Sequence, residues 1–283
     1  RHMWKNAQAL TIIKYMKNLL FLALLPSICF SKIYYFNQWH LLPGVNTRTV
    51  IDIKAYPQYK NQYEIYKKIS DLITEKKVKT IIVEGCEGEI TSNFGPTYNG
   101  WTMNELNLYL SDNKKDVESY NKKILTHLGM KLKTYFKSEI NVYCGDNLKL
   151  MKEHQIAFSD LRGYLGYYSR LVKYKDKDKK RFDAYVNSML DGKKINVDDP
   201  IEYAKENARI SLEQVKTLLV KRNDGFLKML QKYPNSALIL GAAHYDDLSN
   251  KLQNKKLKFD TIVQVTEGNS PDKLIKQIET LLK

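Results

Sequence analysis

The fold is constrained most by a set of short apolar runs that end in glycine or polar residues. The clearest run, Ala237–Leu240, stops at Gly241 and is followed by two alanines, His244 and an acidic pair. Such a run is typical of a buried strand that leads into a tight connection. Ligands of open α/β sheets bind beyond the carboxyl ends of the strands. The stretch therefore predicts a strand with His244 at the functional edge of a sheet, the alternative being an idle loop histidine.

Predicted strands and helices alternate along the rest of the chain. The strands are expected at 32–36, 79–83, 140–143, 237–240 and 261–265. The helices are expected at 57–76, 115–137, most of 147–190, 199–233 and from 270 onward. Alternation of this kind predicts an α/β fold with a central, largely parallel or mixed sheet flanked by helices. We expect a helical insertion and a single domain that spans residues 32–283.

Residues 1–31 have the layout of a secretory signal peptide behind an upstream segment. Lys17 precedes an apolar core at 19–25, and Cys29 and Ser31 occupy the minus-three and minus-one positions of a predicted cleavage site. The core is far shorter than the ~20 residues that a bilayer-spanning helix needs. Residues 1–15 resemble cloning residue or an upstream start. We expect an exported protein, either periplasmic or secreted.

The chain is strongly basic, with 46 lysine and arginine residues against 31 acidic ones and a net charge of +15. Its lysines are spread over every segment, and the densest run, Lys173–Arg181, is interleaved with aspartates and is typical of a solvated face. Since no nucleic-acid motif accompanies this run, we expect no nucleic-acid partner. Acidic partners, association with an anionic membrane surface and a homodimer stay open.

Two cysteines, Cys86 and Cys144, each follow a predicted strand. In an exported protein they can form a disulfide, but two separate buried thiols account for the sequence equally well. No CxxC pattern or Cys/His cluster indicates structural zinc.

Polar side chains follow several of the predicted strands. His40 comes shortly after the first strand, Glu84 directly after the second, Asp146 after the third and His244 after the fourth. Because the carboxyl ends of parallel strands meet at one edge of a sheet, we expect these side chains to converge.

Two more acids lie close to Glu84, and two polar residues interrupt a helix. Glu87 and Glu89 follow Glu84 with glycines between them, which predicts either a site compensated by a cation or metal, or a solvated acidic loop. Arg222 and Asn223 interrupt the apolar face of the long helix at 199–233. A lone helical arginine is usually a surface residue, which is the alternative interpretation of Arg222.

These residue types support three kinds of chemistry. Glu84 or a histidine can take a proton from water. Arg222 can hold an anionic substrate group or a developing oxyanion. His40, His244 and the Glu84 carboxylate can bind a divalent metal such as zinc, manganese or cobalt and leave one position for water.

The order of these pieces resembles the superfamily of TraB and TIKI proteins, ChaN-type haem-binding proteins and erythromycin-esterase-like hydrolases. The matching pieces, over about residues 33–265, are FNQWH, IIVEG, VKRND and GAAH. The resemblance implies an α/β sheet with helical insertions. It also implies a polar site of four residues, namely His40, Glu84, Arg222 and His244. Supporting positions are expected at Glu87, Asp146, Asn223 and Tyr245.

Members of this superfamily differ in function, from metal-dependent proteolysis and ester cleavage to haem binding and pheromone shutdown. We expect a hydrolase that cleaves a peptide or ester bond of a peptide or small-molecule substrate, with or without a divalent metal. A haem-binding protein of the ChaN type is an alternative, in which Trp39 and Tyr245 offer apolar surface beside the histidines. A regulatory protein with a vestigial site is a third.

Overall fold

Six short strands form the centre of the fold. The structure is a computed structural model that describes residues 32–38, 57–91, 97–98, 101–102, 128–191, 197–263 and 271–282. The strands of the central sheet are β1 (Ile33–Gln38), β2 (Thr80–Val83), β3 (Glu87–Ile90), β6 (Asn141–Gly145), β7 (Ser236–Gly241) and β8 (Phe259–Val263). A separate two-stranded ribbon is formed by β4 (Thr97–Tyr98) and β5 (Trp101–Thr102).

The central sheet has the order β3-β6-β2-β7-β1-β8. Every neighbouring pair is parallel except β3 and β6, which are antiparallel. The carboxyl ends of the parallel strands therefore lie at one edge of the sheet. The predicted α/β fold with a mixed, mostly parallel sheet is confirmed.

Seven α-helices are present in the described ranges. They are α1 (Pro57–Thr74), α2 (Leu128–Phe136), α3 (Leu148–Tyr174), α4 (Lys179–Leu190), α5 (Pro200–Lys232), α6 (Tyr245–Asn254) and α7 (Pro271–Leu281). Helix α5 begins as the sequence predicts, because the Asp199 carboxylate accepts hydrogen bonds from the Ile201 and Glu202 amides and Pro200 occupies the first turn. No helix among these residues combines the length and the apolar character that a membrane crossing requires.

The alternation of side chains along β7 divides the core into two layers. Ala237 and Ile239 pack with residues of α1 and α2 on one face of the sheet. Leu238 and Leu240 pack with residues of α5 and α6 on the other face. A buried parallel strand needs apolar residues on both sides, which explains the unbroken apolar run in the sequence.

The predicted helical insertion is a hairpin of α3 and α4 packed against α5. Ala157 and Leu161 of α3 meet Ala208 and Leu212 of α5 in a buried cluster. This packing places α3 beside the middle of the chain's longest described helix, α5.

Two elements differ from the sequence prediction. The acidic segment after β2 is not a simple loop, because Glu87–Ile90 forms strand β3 on the edge of β6. The connection after β7 is a 3-10 turn, Ala242–His244, and it leads into the unpredicted helix α6. Asp246 and Asp247 lie in the first turn of α6, where negative charge is favourable.

Several sequence predictions lie outside the described residues. These are the signal peptide at 1–31, the positions Trp39 and His40, and the part of the second predicted helix before Leu128.

Candidate functional site

Polar side chains from six parts of the fold form one contacting set at the carboxyl edge of the sheet, called the polar network below. Its members are Glu84, Asp146, His154, Arg222, Asn223, His244 and Asp247.

A bidentate ion pair joins β6 to α5 in the network. Arg222 donates from Nε to Oδ1 of Asp146 over 2.8 Å and from Nη2 to Oδ2 over 2.7 Å. Both residues are buried, so the helical arginine is not the surface residue of the alternative interpretation. Burial alone would lower the pKa of Arg222, but its hydrogen bonds with Asp146 and the charge of Glu84 outweigh burial and raise it. Arg222 is therefore a fixed positive charge.

Two glycines let α5 approach the end of β6 closely enough for this pair. A Cβ atom on Gly145 would overlap Cδ1 of the fully buried Phe226 ring. A Cβ atom on Gly225 would lie only 3.0 Å from the carbonyl oxygen of Gly145. Arg222 and Phe226 are four residues apart on α5 and so share one face of the helix. The same close approach of α5 to β6 therefore packs Phe226 against Gly145 and places Arg222 within hydrogen-bond distance of Asp146.

His154 of α3 is a network member that the sequence did not indicate. Its Nδ1 lies 3.0 Å from Nη1 of Arg222, and because arginine only donates hydrogen bonds, Nδ1 accepts and the proton sits on Nε2. Burial, followed by the charges of Arg222 and His244, lowers the pKa of His154 to about 4. This histidine is therefore neutral at pH 7. It sits on an amphipathic helix without a motif, so no signal in the sequence singles it out.

His244 and Glu84 are in direct contact. Nε2 of His244 lies 3.0 Å from Oε2 of Glu84, and Nη2 of Arg222 lies 4.0 Å from the same oxygen. The His244 side chain is 3% exposed and that of Glu84 is 10% exposed. The contact joins the end of β7 to the end of β2, as the pattern of strand-end polar residues led us to expect.

The orientation of His244 is fixed from the side opposite Glu84. Nδ2 of Asn223 donates to Oδ2 of Asp247 over 2.8 Å, so the amide oxygen of Asn223 faces the imidazole. That oxygen lies 2.6 Å from Nδ1 of His244, which must carry the proton and donate it. Phe226 packs edge-on against the imidazole with the ring centroids 5.4 Å apart.

This tautomer decides what the His244–Glu84 contact means. With the proton on Nδ1, a neutral imidazole offers a lone pair at Nε2, and an ionised carboxylate also offers only lone pairs. Two acceptors 3.0 Å apart repel unless a cation lies between them. A proton or another cation shared by the two side chains would remove this repulsion.

Two further predicted positions lie beside the network without joining its hydrogen bonds. Tyr245 is half-buried, its hydroxyl is bonded to that of Thr261 over 3.0 Å, and its ring packs on Tyr35 at 5.3 Å. Burial, and then the charge of Glu84, raises the pKa of the fully buried Tyr35 well above its usual value. Glu87 is exposed on β3 and lines a cleft of about 500 Å³ that also reaches Asp146.

The three acids of this segment differ in their surroundings. Glu87 and Glu89 are both exposed on the edge strand. Glu84 points into the network, where the guanidinium of Arg222 supplies a compensating positive charge.

The predicted metal set, His40, Glu84 and His244, is described only in part. His40 lies outside the described residues. Within the described ranges, no group of three or more His, Cys, Asp or Glu side chains is arranged to hold a metal ion. Glu84 and His244 supply two ligands, whereas a catalytic zinc site takes three from the protein.

Comparison of the chain with models of known protein families, with curated proteins and with solved structures found no match. Its function is therefore inferred from the geometry of the polar network.

Proposed function

We propose that the protein is a hydrolase of ester or peptide bonds in which Glu84 and His244 act as a coupled acid–base pair. The observation that carries this proposal is the 3.0 Å contact between His244 Nε2 and Glu84 Oε2, made with His244 Nδ1 already held by Asn223. A base whose partner is oriented by a third group is the general arrangement of acid–base and nucleophilic catalysis.

Glu84 is the member of the pair that meets the substrate. Its side chain is 10% exposed and that of His244 is 3% exposed, so Glu84 is the more accessible member of the pair. As water attacks the carbonyl carbon, its proton passes to the pair. The pair then gives a proton to the leaving group when the carbon–oxygen or carbon–nitrogen bond breaks. The pair takes one proton from water and gives one to the leaving group, so it carries the same number of protons at the end of the cycle as at the start.

Arg222 is a positioning residue in this scheme rather than a clamp for a substrate anion. Three of its N–H groups point to Asp146 and His154. Its charge lies 4.0 Å from Glu84 and stabilises negative charge there. Loss of Arg222 would leave Asp146 buried without its partner, which is strongly destabilising.

A divalent metal is a variant of the same proposal. Glu84 and His244 would hold it, with His40 as the third ligand that the sequence predicts, and the metal would supply an activated water. The steps of the metal-free scheme involve only side chains of the described residues. Activity that survives dialysis against EDTA supports the metal-free scheme, and activity lost to EDTA and restored by zinc, manganese or cobalt supports the variant.

The resemblance to TIKI proteins and erythromycin-esterase-like hydrolases supports hydrolysis. Export is part of the same proposal, supported by the predicted signal peptide and by the disulfide between Cys86 and Cys144. Haem binding is not proposed, because Glu84 lies 3.0 Å from Nε2 of His244, on the side where a porphyrin would have to lie, whereas a single ion could lie between the two side chains.

The test is hydrolysis of p-nitrophenyl acetate and of a fluorogenic peptide library by the purified protein. Replacing Glu84 by glutamine keeps the side-chain shape and removes the base, so we expect kcat to fall by about 100-fold or more. The matched control is Glu139→Gln, an exposed glutamate just before β6 at the opposite edge of the sheet, which should retain full activity. Hydrolysis that persists in Glu84→Gln, or is lost equally in both variants, contradicts the proposal.

A further inference from the structure

The two carboxylate-bearing strand ends of the network are covalently linked. Cys86, two residues after Glu84, forms a disulfide with Cys144, two residues before Asp146. The sequence left this pairing open. One glycine lies between cysteine and carboxylate on each side, so the two segments are Glu-Gly-Cys and Cys-Gly-Asp.

The topology shows what this link holds. Strands β2 and β3 lie on opposite sides of β6, with β2 parallel and β3 antiparallel to it. The chain must therefore cross the carboxyl end of β6 within the three residues Glu84–Cys86. Gly85 makes this turn with a φ of 84°, a value that glycine adopts without strain. The disulfide ties the crossing to the strand that it crosses.

Gly85 and Glu84 make noncovalent contacts from the crossing to the network. The Gly85 amide donates to Oδ2 of Asp146 over 2.8 Å, and Glu84 lies 3.0 Å from His244 and 4.0 Å from Arg222. Beyond the crossing, β3 has only four residues, of which three are exposed. The sulfur atoms, by contrast, are buried in the apolar layer on the α1 and α2 face.

We infer that the Cys86–Cys144 disulfide is a positioning element of the site. It fixes the crossing over the end of β6 and so holds Glu84 against His244 and Asp146 against Arg222. The disulfide lies on the α1 and α2 face of the sheet, and it influences the network on the α5 face through the Glu84 and Asp146 carboxylates. Its effect on catalysis rests on the proposed function, whereas its effect on geometry does not.

The test compares the double variant Cys86→Ala/Cys144→Ala with the wild-type protein by NMR. Two signals report the geometry, namely hydrogen exchange of the Gly85 amide and of the Arg222 Nε–H group, both of which donate to Asp146. We expect both exchange rates to rise by about tenfold or more, while amides in the α3–α4 hairpin change less.

Ile33→Ala is the matched control for loss of global stability. Ile33 is buried at the start of β1, at the edge of the sheet opposite the network and outside the α3–α4 hairpin. This variant should lower the free energy of unfolding. The exchange rates of Gly85 and Arg222, divided by those of the hairpin amides, should stay at their wild-type values. If the double variant shows that same ratio, the disulfide contributes only global stability and the inference is overturned.

If the double variant does not fold, the same signals are followed in folded wild-type protein after a phosphine has reduced the disulfide. Faster exchange of both groups with retained helical circular dichroism supports the inference, and unchanged exchange overturns it.

Kinetics with p-nitrophenyl acetate separate this inference from the proposed function. In an active protein, a positioning role lowers kcat of the double variant and leaves KM nearly unchanged. Undiminished kcat refutes the positioning role but leaves the hydrolase proposal intact. If the wild-type protein is inactive while the exchange effect is present, the hydrolase proposal fails and the positioning role stands.

Discussion

Adjacent residues of one helix bring the ends of two strands together. Arg222 pairs with Asp146 after β6, and Asn223 orients His244 after β7. Consecutive helical residues differ by about 100° in direction. The dipeptide therefore reaches the ends of β6 and β7, which lie on either side of β2. This explains why both polar residues interrupt an otherwise apolar helix face.

At the same scale, His154 makes stability depend on pH. Its pKa is about 4 in the folded protein and near the ordinary 6.5 in the unfolded chain. Between these values the unfolded chain binds a proton that the native state does not, so the free energy of unfolding falls as pH drops from 6.5 toward 4. One proton contributes at most about 1.4 kcal/mol per pH unit, and partial solvent exposure reduces this.

His154→Gln should flatten this dependence, because glutamine accepts a hydrogen bond from Arg222 but does not titrate. Urea unfolding between pH 4.5 and pH 7.5 measures the slope. Lys152→Gln, exposed on the same helix, should keep the wild-type slope. Equal slopes in His154→Gln and the wild-type protein would show that this histidine does not change its proton affinity on folding.

At the scale of elements, the contact between α5 and β6 depends on the absence of a side chain at Gly145. An alanine there would overlap the Phe226 ring and approach Cγ2 of Ile82 at 3.2 Å. Phe226 is fully buried and cannot swing into solvent, so the helix itself has to shift. We expect Gly145→Ala to lower the free energy of unfolding by about 1–3 kcal/mol, as overpacking does.

Gly163→Ala is the contrasting variant, since a Cβ atom at this helical position meets nothing within 4 Å. It should stabilise the protein by up to about 1 kcal/mol through helix propensity. Phe226→Leu added to Gly145→Ala should recover part of the lost stability. Urea denaturation of five proteins, namely the wild type, the three single variants and the double variant, tests both statements. An additive double variant would show that the ring and the glycine are not coupled.

At the scale of the whole molecule, some parts of the candidate site could be predicted from the sequence and others could not. Glu84 and His244 could be found because each ends an apolar run, and strand ends of a parallel sheet share an edge. His154 could not, because its position beside Arg222 results from the packing of α3 on α5 rather than from any local pattern. Strand β3 escaped prediction for a similar reason, since its Glu-Gly-Glu-Ile sequence becomes a strand only by pairing with β6.

The disulfide is a further property of the whole molecule, because it closes a loop of 58 residues. In the chain-entropy description, a link across a loop of that length stabilises the folded state by about 4 kcal/mol, since it restricts the unfolded chain. Domains are commonly stable by only about 5–15 kcal/mol. Reduction should therefore remove a large share of the stability.

We expect the reduced protein to unfold at a clearly lower urea concentration than the oxidised protein, with a somewhat larger m-value because its unfolded chain exposes more surface. Cys86→Ala/Cys144→Ala should behave like the reduced protein under both redox conditions. Reduced and oxidised wild-type proteins of equal stability would contradict this prediction. A difference near the expected size would make the fold dependent on an oxidising compartment, which is the physical requirement that the proposed export would meet.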